Sequence, residues 1–98
     1  MTGVYLIHFS PPYKHARHYL GWSRNVHVRF LLHCLGGGAR LTQVAVGAGC
    51  RLQLVRIWEG GDRDLERKLK NQKHSPSLCP ICNGSLDFTL DDIKELEF

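Results

Sequence analysis

"HYLGWSRNVHVRFLLH", His18 to His33, changes its periodicity midway. Its first residues carry the aromatic and apolar side chains of a strand, whereas Val28, Leu31, Leu32 and then Leu35 recur at the three- and four-residue intervals of a helix. Ser23 has the chemistry of an N-cap, and the run Gly36 to Gly38 ends the pattern. The stretch therefore predicts a strand over Arg17 to Trp22 that turns directly into a helix. Arg29 and His33 stand one turn apart, each one residue beyond a member of the apolar stripe, which predicts a place on the border of buried and exposed surface, facing a groove.

Upstream, the β-branched and aromatic run Val4 to Phe9 reads as a first strand, joined to the second by the loop-like "SPPYKHAR". Downstream, Ala39 to Val46 suits a short helix and Leu52 to Trp58 a third strand. Asp62 can cap a helix through Lys73 in which Leu65 and Leu69 face inward and Glu66 and Lys70 share the neighbouring stripe. Strand, strand, helix, helix, strand, helix implies an α+β fold, a small antiparallel three-stranded sheet flanked by helices. From Ser75 the character changes: "SPSLCPICNGS" is loop-like, and "TLDDIKELEF" is an acidic segment with Thr89 as a candidate helix cap.

Ninety-eight residues with 43% hydrophobic content suit one compact domain. No apolar run approaches the ~18 residues of a membrane span, and no basic segment precedes the short N-terminal apolar run, so a cytoplasmic location is expected. Four cysteines in such a chain are expected as reduced thiols or metal ligands rather than disulfides. The net charge of +4 conceals an asymmetry: residues 1–83 hold twelve Lys/Arg against four Asp/Glu, and residues 84–98 hold one against five. The basic body favours a polyanionic partner, and nucleic acid is the commonest.

"GVY" at Gly3 to Tyr5, "YLG" at Tyr19 to Gly21, then Arg29, His33 and Glu66 follow one another in the order and spacing of the GIY-YIG nuclease family, which the chain resembles. "GGGARLT" followed by a strand and "LERKLK" is similar to the short stand-alone bacterial members, and the resemblance runs from about Gly3 to Lys73. The Tyr5 to Tyr19 interval is longer than in many members. The resemblance implies a nuclease domain over residues 1–83 with an acidic tail over 84–98. It implies catalytic roles for Tyr5, Tyr19, Arg29, His33 and Glu66, one Mg²⁺ or Mn²⁺ ion on Glu66, and DNA as substrate for a monomer or homodimer. The family's late asparagine has two candidates, Asn83 and Asn71.

The residue types suit that chemistry in their own right. Phosphodiester hydrolysis needs an activated water, charge neutralisation at the transition state and a stabilised leaving alkoxide. Magnesium accepts a single carboxylate while keeping several waters, which fits Glu66, and Arg29 offers a planar fork to two phosphate oxygens. By the resemblance Tyr5 is the general base or water-orienting hydroxyl, provided nearby cations depress a phenol of ordinary pKa ~10. Tyr19 orients the water or phosphate, and His33 bonds the phosphate or relays a proton. Lys14, His15 and His18, in the loop between the tyrosines, are candidates for further phosphate contacts. Taken singly, each residue also suits a bland role: the tyrosines as edge aromatics, Arg29 and His33 as a helix border, Glu66 as a partner for Lys70. The alternative function is a nucleic-acid-binding module of the same fold without turnover.

"CPIC", Cys79 to Cys82, has the spacing of half a structural zinc site, which His74 with Cys34 or Cys50 would complete. The competing reading is two reduced thiols packed as small apolar groups. The acidic tail is either a solvated end or a segment that folds over the basic body as a nucleic-acid mimic.

Overall fold

The computed structural model describes residues 1–72 and 75–82. The central strand β1 (Gly3–Tyr13) lies between β2 (Ala16–Ser23) and β3 (Arg51–Glu59), antiparallel to both, in the order β2-β1-β3. Helices α1 (Val26–Cys34) and α2 (Arg40–Gly47) connect β2 to β3, and α3 (Arg63–Gln72) and the one-turn α4 (Ser75–Leu78) follow. This is the expected α+β sheet with flanking helices, with α4 added where a loop was expected. No helix among the described residues is long and apolar enough to cross a membrane. Expectations for His74, Asn83 and the acidic segment 84–98 fall outside the described residues.

β1 is buried on both faces, and Val4 to Ile7 and Phe9 are almost wholly shielded from water. Tyr5 pairs with Gly21 and Ile7 with Tyr19, so these four share one face, while Val4, Leu6 and His8 lie with Trp22, Leu20 and His18 on the other. Against β3 the register slips between Leu6 and Ile7, leaving Val55 as the extra residue of a bulge.

The helix α1 is turned differently from the sequence expectation. Val26, Phe30 and His33 face inward, and Val28, Leu31, Leu32 and Leu35 are exposed, Leu35 at 78%. Positions 26, 30 and 33 form a stripe of their own at helical spacing. That stripe prevails because both ring nitrogens of His33 find buried partners on the inner side, so the polar ring is accommodated there and the leucines are left outside.

The caps account for the boundaries. Asn25, not Ser23, caps α1: its side chain accepts from the Val28 amide at 3.3 Å, while the Ser23 hydroxyl accepts from the Asn25 amide at 3.1 Å. The helix ends in a Schellman motif, with Gly37 N–H donating to the Leu32 carbonyl, Gly36 N–H to the His33 carbonyl, and Gly36 at φ 89°. Asp62 caps α3 as expected, accepting from the Leu65 amide at 2.9 Å. Replacing Asn25 by Ala is expected to lower unfolding free energy by ~1 kcal/mol, read by urea denaturation. An unchanged midpoint would refute this cap assignment.

Candidate functional site

Tyr5 and Tyr19, separated by a hairpin in sequence, become neighbours because β1 and β2 pair with Ile7 opposite Tyr19; their ring centroids lie 6.2 Å apart. His33 enters from α1, its ring centroid 5.7 Å from Tyr5 and 5.1 Å from Tyr19. The Tyr5 hydroxyl and His33 Nε2 are 2.8 Å apart, and His33 Nδ1 lies 2.6 Å from Thr42 Oγ1. Thr42 gives its one hydroxyl hydrogen to the Ala39 carbonyl at 3.0 Å, so it accepts from His33. Nδ1 therefore carries the imidazole proton, Nε2 is the acceptor, and the Tyr5 hydroxyl donates to it.

Two glycines make room for this arrangement. A Cβ on Gly21 would stand 2.6 Å from the Tyr5 hydroxyl oxygen, and one on Gly38, at φ 79°, would stand 2.5 Å from His33 Nδ1. The "YLG" and "GGG" motifs thus keep space for two polar rings in addition to shaping the backbone.

Arg29, half-buried on α1, acts electrostatically on both Tyr5 and His33. Glu66, half-buried on α3, acts on Tyr5, and its Oε2 lies 3.2 Å from Lys70 Nζ, which in turn sits 5.9 Å from the Tyr19 ring centroid. Tyr19 and His33 thus stand beside Tyr5, and Arg29 and Glu66 act on it electrostatically, so the other four residues singled out from the sequence all bear on the Tyr5 hydroxyl. Thr42 and Gly38 were not foreseen, since their roles follow from where α2 docks.

The electrostatics differ from the expectation for Tyr5. Burial first, then Tyr19, hold the phenol well above its ordinary range; Glu66 adds to this and Arg29 opposes it. Tyr5 is a neutral hydroxyl at physiological pH. His33 is pushed down to about 4, by burial and then by Arg29, and is a neutral imidazole.

Lys14 and His15 form the turn between Tyr13 and Ala16, and His18 belongs to β2 rather than to the loop. His18 pairs across the strands with His8, on the sheet face opposite to Tyr5. His8 Nδ1 and His18 Nε2 are 3.3 Å apart, and the segment after α4 brings Cys79 and Cys82 to them. The four ligand atoms all lie within 4.8 Å of one another, a group able to hold a metal ion. Burial and then His8 push His18 down to about 4, and burial and then Cys79 raise the Cys82 thiol. Half of this set, the CxxC, was legible in the sequence; its partners are His8 and His18, whereas Cys34 and Cys50 are not members. Asn71 is exposed on α3 and makes none of the contacts described for the Tyr5 site.

No known family model, curated protein or solved structure matches this chain.

Two measurements probe the buried clamp. Thr42→Val removes the acceptor of a buried N–H and is expected to cost ~1–3 kcal/mol of stability, with Thr42→Ser restoring much of it. Because the unfolded imidazole titrates near 6.5 and the folded one at about 4, the unfolded chain takes up this proton first as pH falls. The His33 contribution is complete above pH 6.5 and declines by about 1.4 kcal/mol per pH unit as pH falls from there towards 4. Urea unfolding across that range should show a steeper acid loss for the parent than for His33→Gln. Parallel slopes would refute the depressed pKa, because His8 and His18 are present in both proteins.

Proposed function

We propose that this chain is a GIY-YIG-type nuclease domain that hydrolyses phosphodiester bonds in DNA with one Mg²⁺ or Mn²⁺ ion. The observation that carries this reading is the gathering of Tyr19, His33, Arg29 and Glu66, from three different elements, around the Tyr5 hydroxyl.

Glu66 fits a hard divalent cation. Its charge is felt by Tyr5 as a further increase in proton affinity, and its ion pair with half-exposed Lys70 is of the weak surface kind that a cation can displace. Oxygen donors and open positions suit magnesium or manganese at Glu66, whereas the nitrogen and sulfur donors of the His8 cluster suit zinc. Glu66 would hold the hard ion, which would supply positive charge to offset that of the phosphate and would lower the pKa of water.

The chain's own groups divide the remaining work. The Tyr5 hydroxyl already donates to His33 Nε2, so it can accept a proton from the attacking water as its own passes to the imidazole. With so low a pKa, His33 holds that proton only briefly and returns it through the Tyr5 oxygen, from which the leaving alkoxide is protonated. Arg29 places a fixed charge beside the phenol and the imidazole, suited to the equatorial oxygens of the transition state. Tyr19, whose ring is tilted 57° to that of His33 and lies within reach of Lys70, orients the water or phosphate. The basic body attracts the polyanion.

One observation favours a second reading. A phenol held neutral at rest also suits a module of this fold that binds nucleic acid without cleaving it.

Labelled single-stranded, duplex and branched DNA incubated with Mg²⁺ or Mn²⁺ separate the two. Cleavage is expected from the parent and not from Glu66→Ala, with salt-sensitive binding retained in both. Arg29→Gln is expected to lower the rate by roughly 10²–10³-fold, the loss typical of removing one preorganised charge stabiliser. Binding without cleavage by the parent would establish the non-catalytic module, and equal cleavage by parent and Glu66→Ala would exclude Glu66 as the metal ligand.

A further inference from the structure

We infer that His8, His18, Cys79 and Cys82 form a closed, four-coordinate zinc site that fastens the segment after α4 to the β1–β2 hairpin. This site is independent of the nuclease reading: it lies on the other face of the sheet and uses none of the same residues.

The geometry begins with strand pairing. His8 and His18 are directly opposite one another, so both imidazoles project from the same face of neighbouring strands, 5.1 Å between ring centroids. "CPIC" then supplies two sulfurs from a single tight turn. The Arg56 side chain, also on that face, donates to the Leu78 carbonyl at 3.4 Å and so fixes the backbone immediately before Cys79. Cys79 is fully buried and Cys82 is exposed, which leaves the cluster one side open for an ion to enter.

Hydrogen bonding alone explains these contacts poorly. His8 Nδ1 faces His18 Nε2 at 3.3 Å, Cys79 Sγ at 3.5 Å and Cys82 Sγ at 3.6 Å. An imidazole nitrogen has one hydrogen or one lone pair to offer, so it cannot serve three partners. A tetrahedral ion accounts for all of them together. Zinc bond lengths of about 2.0–2.1 Å to nitrogen and about 2.3 Å to sulfur place two nitrogens about 3.3 Å apart and a nitrogen and a sulfur about 3.6 Å apart. The His18 Nε2 to Cys82 Sγ distance, 3.4 Å, belongs to the same set. These four separations match the edges of such a tetrahedron, and all four atoms lie within 4.8 Å of one another.

The donor set narrows the metal and its role. Two sulfurs and two imidazole nitrogens suit zinc and disfavour magnesium or calcium. On binding, each cysteine thiol releases its proton, and the two thiolates balance the charge of Zn²⁺ while the imidazoles bind neutral. With four protein ligands no position is open for water or substrate, so the site is structural. Ligands from the hairpin and from the chain more than sixty residues later make its formation part of folding.

The full chain, purified after expression with added zinc and assayed by elemental analysis, is expected to carry one zinc per molecule. Cobalt reconstitution should give the intense visible bands of a tetrahedral ion and a thiolate charge-transfer band. Cys82→Ser, at an exposed position, and His18→Gln should each lower zinc affinity by more than the roughly 10–100-fold that loss of an outer partner costs. Glu66→Ala should leave zinc content unchanged. Chelation should lower the melting temperature of the parent but not of Cys82→Ser. A metal-free parent under zinc saturation, a weak octahedral cobalt spectrum, iron in place of zinc, or unchanged affinity in both ligand variants would each overturn the assignment.

Discussion

A single imidazole, clamped at both ends, sets the geometry of this protein. His33 receives a hydrogen from Tyr5 at one nitrogen and gives one to Thr42 at the other, joining β1, α1 and α2 in the buried layer above the sheet. A buried polar ring with either end unmatched costs about twice what a made hydrogen bond contributes, so these elements are constrained to meet in one register. That constraint turns α1 until His33 faces the sheet, at the expense of leaving Val28, Leu31, Leu32 and Leu35 in water. It also forbids a side chain at Gly38, whose Cβ would strike the ring, and at Gly21, whose Cβ would strike the Tyr5 hydroxyl.

The sheet separates two kinds of chemistry by strand parity. Tyr5 and Tyr19 point to one face, His8 and His18 to the other, and a shift of one residue in the β1–β2 pairing would exchange the partners on both. The Tyr5 face offers hydroxyls, a guanidinium and a carboxylate, hard groups suited to oxygen-rich ligands. The His8 face offers imidazole nitrogen and sulfur, soft groups suited to a fixed ion. One hairpin register therefore underlies both assemblies, and a rigid hairpin serves the Tyr5 site whatever reaction it performs.

The strands and α3 were legible because each rests on local pattern: aromatic and apolar runs in β1 and β2, alternation in β3, and Asp62 as a cap; the five residues of the Tyr5 site were singled out by their order and spacing. The facing of α1 was not legible, because two stripes compete on the same nine residues and the winner is decided by Thr42, which comes from another helix. Ser23 and Asn25 are both good capping residues two positions apart, and the Ser23 hydroxyl is taken up by the Asn25 backbone while the Asn25 side chain caps the helix. The metal cluster was half legible. "CPIC" announces itself by spacing, whereas His8 and His18 are ten residues apart and become a pair only once the hairpin register is known.

The resting protonation state of Tyr5 has a consequence for how the proposed reaction is triggered. Of the influences that raise its proton affinity, burial is the largest and is built into the fold; Glu66 is the one that a ligand can reverse. A cation seated on that carboxylate cancels its negative charge and adds positive charge near the phenol, working in the same direction as Arg29. The free protein thus keeps a neutral hydroxyl hydrogen-bonded to a neutral imidazole, and in the proposed reaction a cation on Glu66 would favour loss of the phenol proton. In this arrangement the base is not preformed by the protein. In the proposed reaction it would be completed by the ligand, which would tie reactivity to loading.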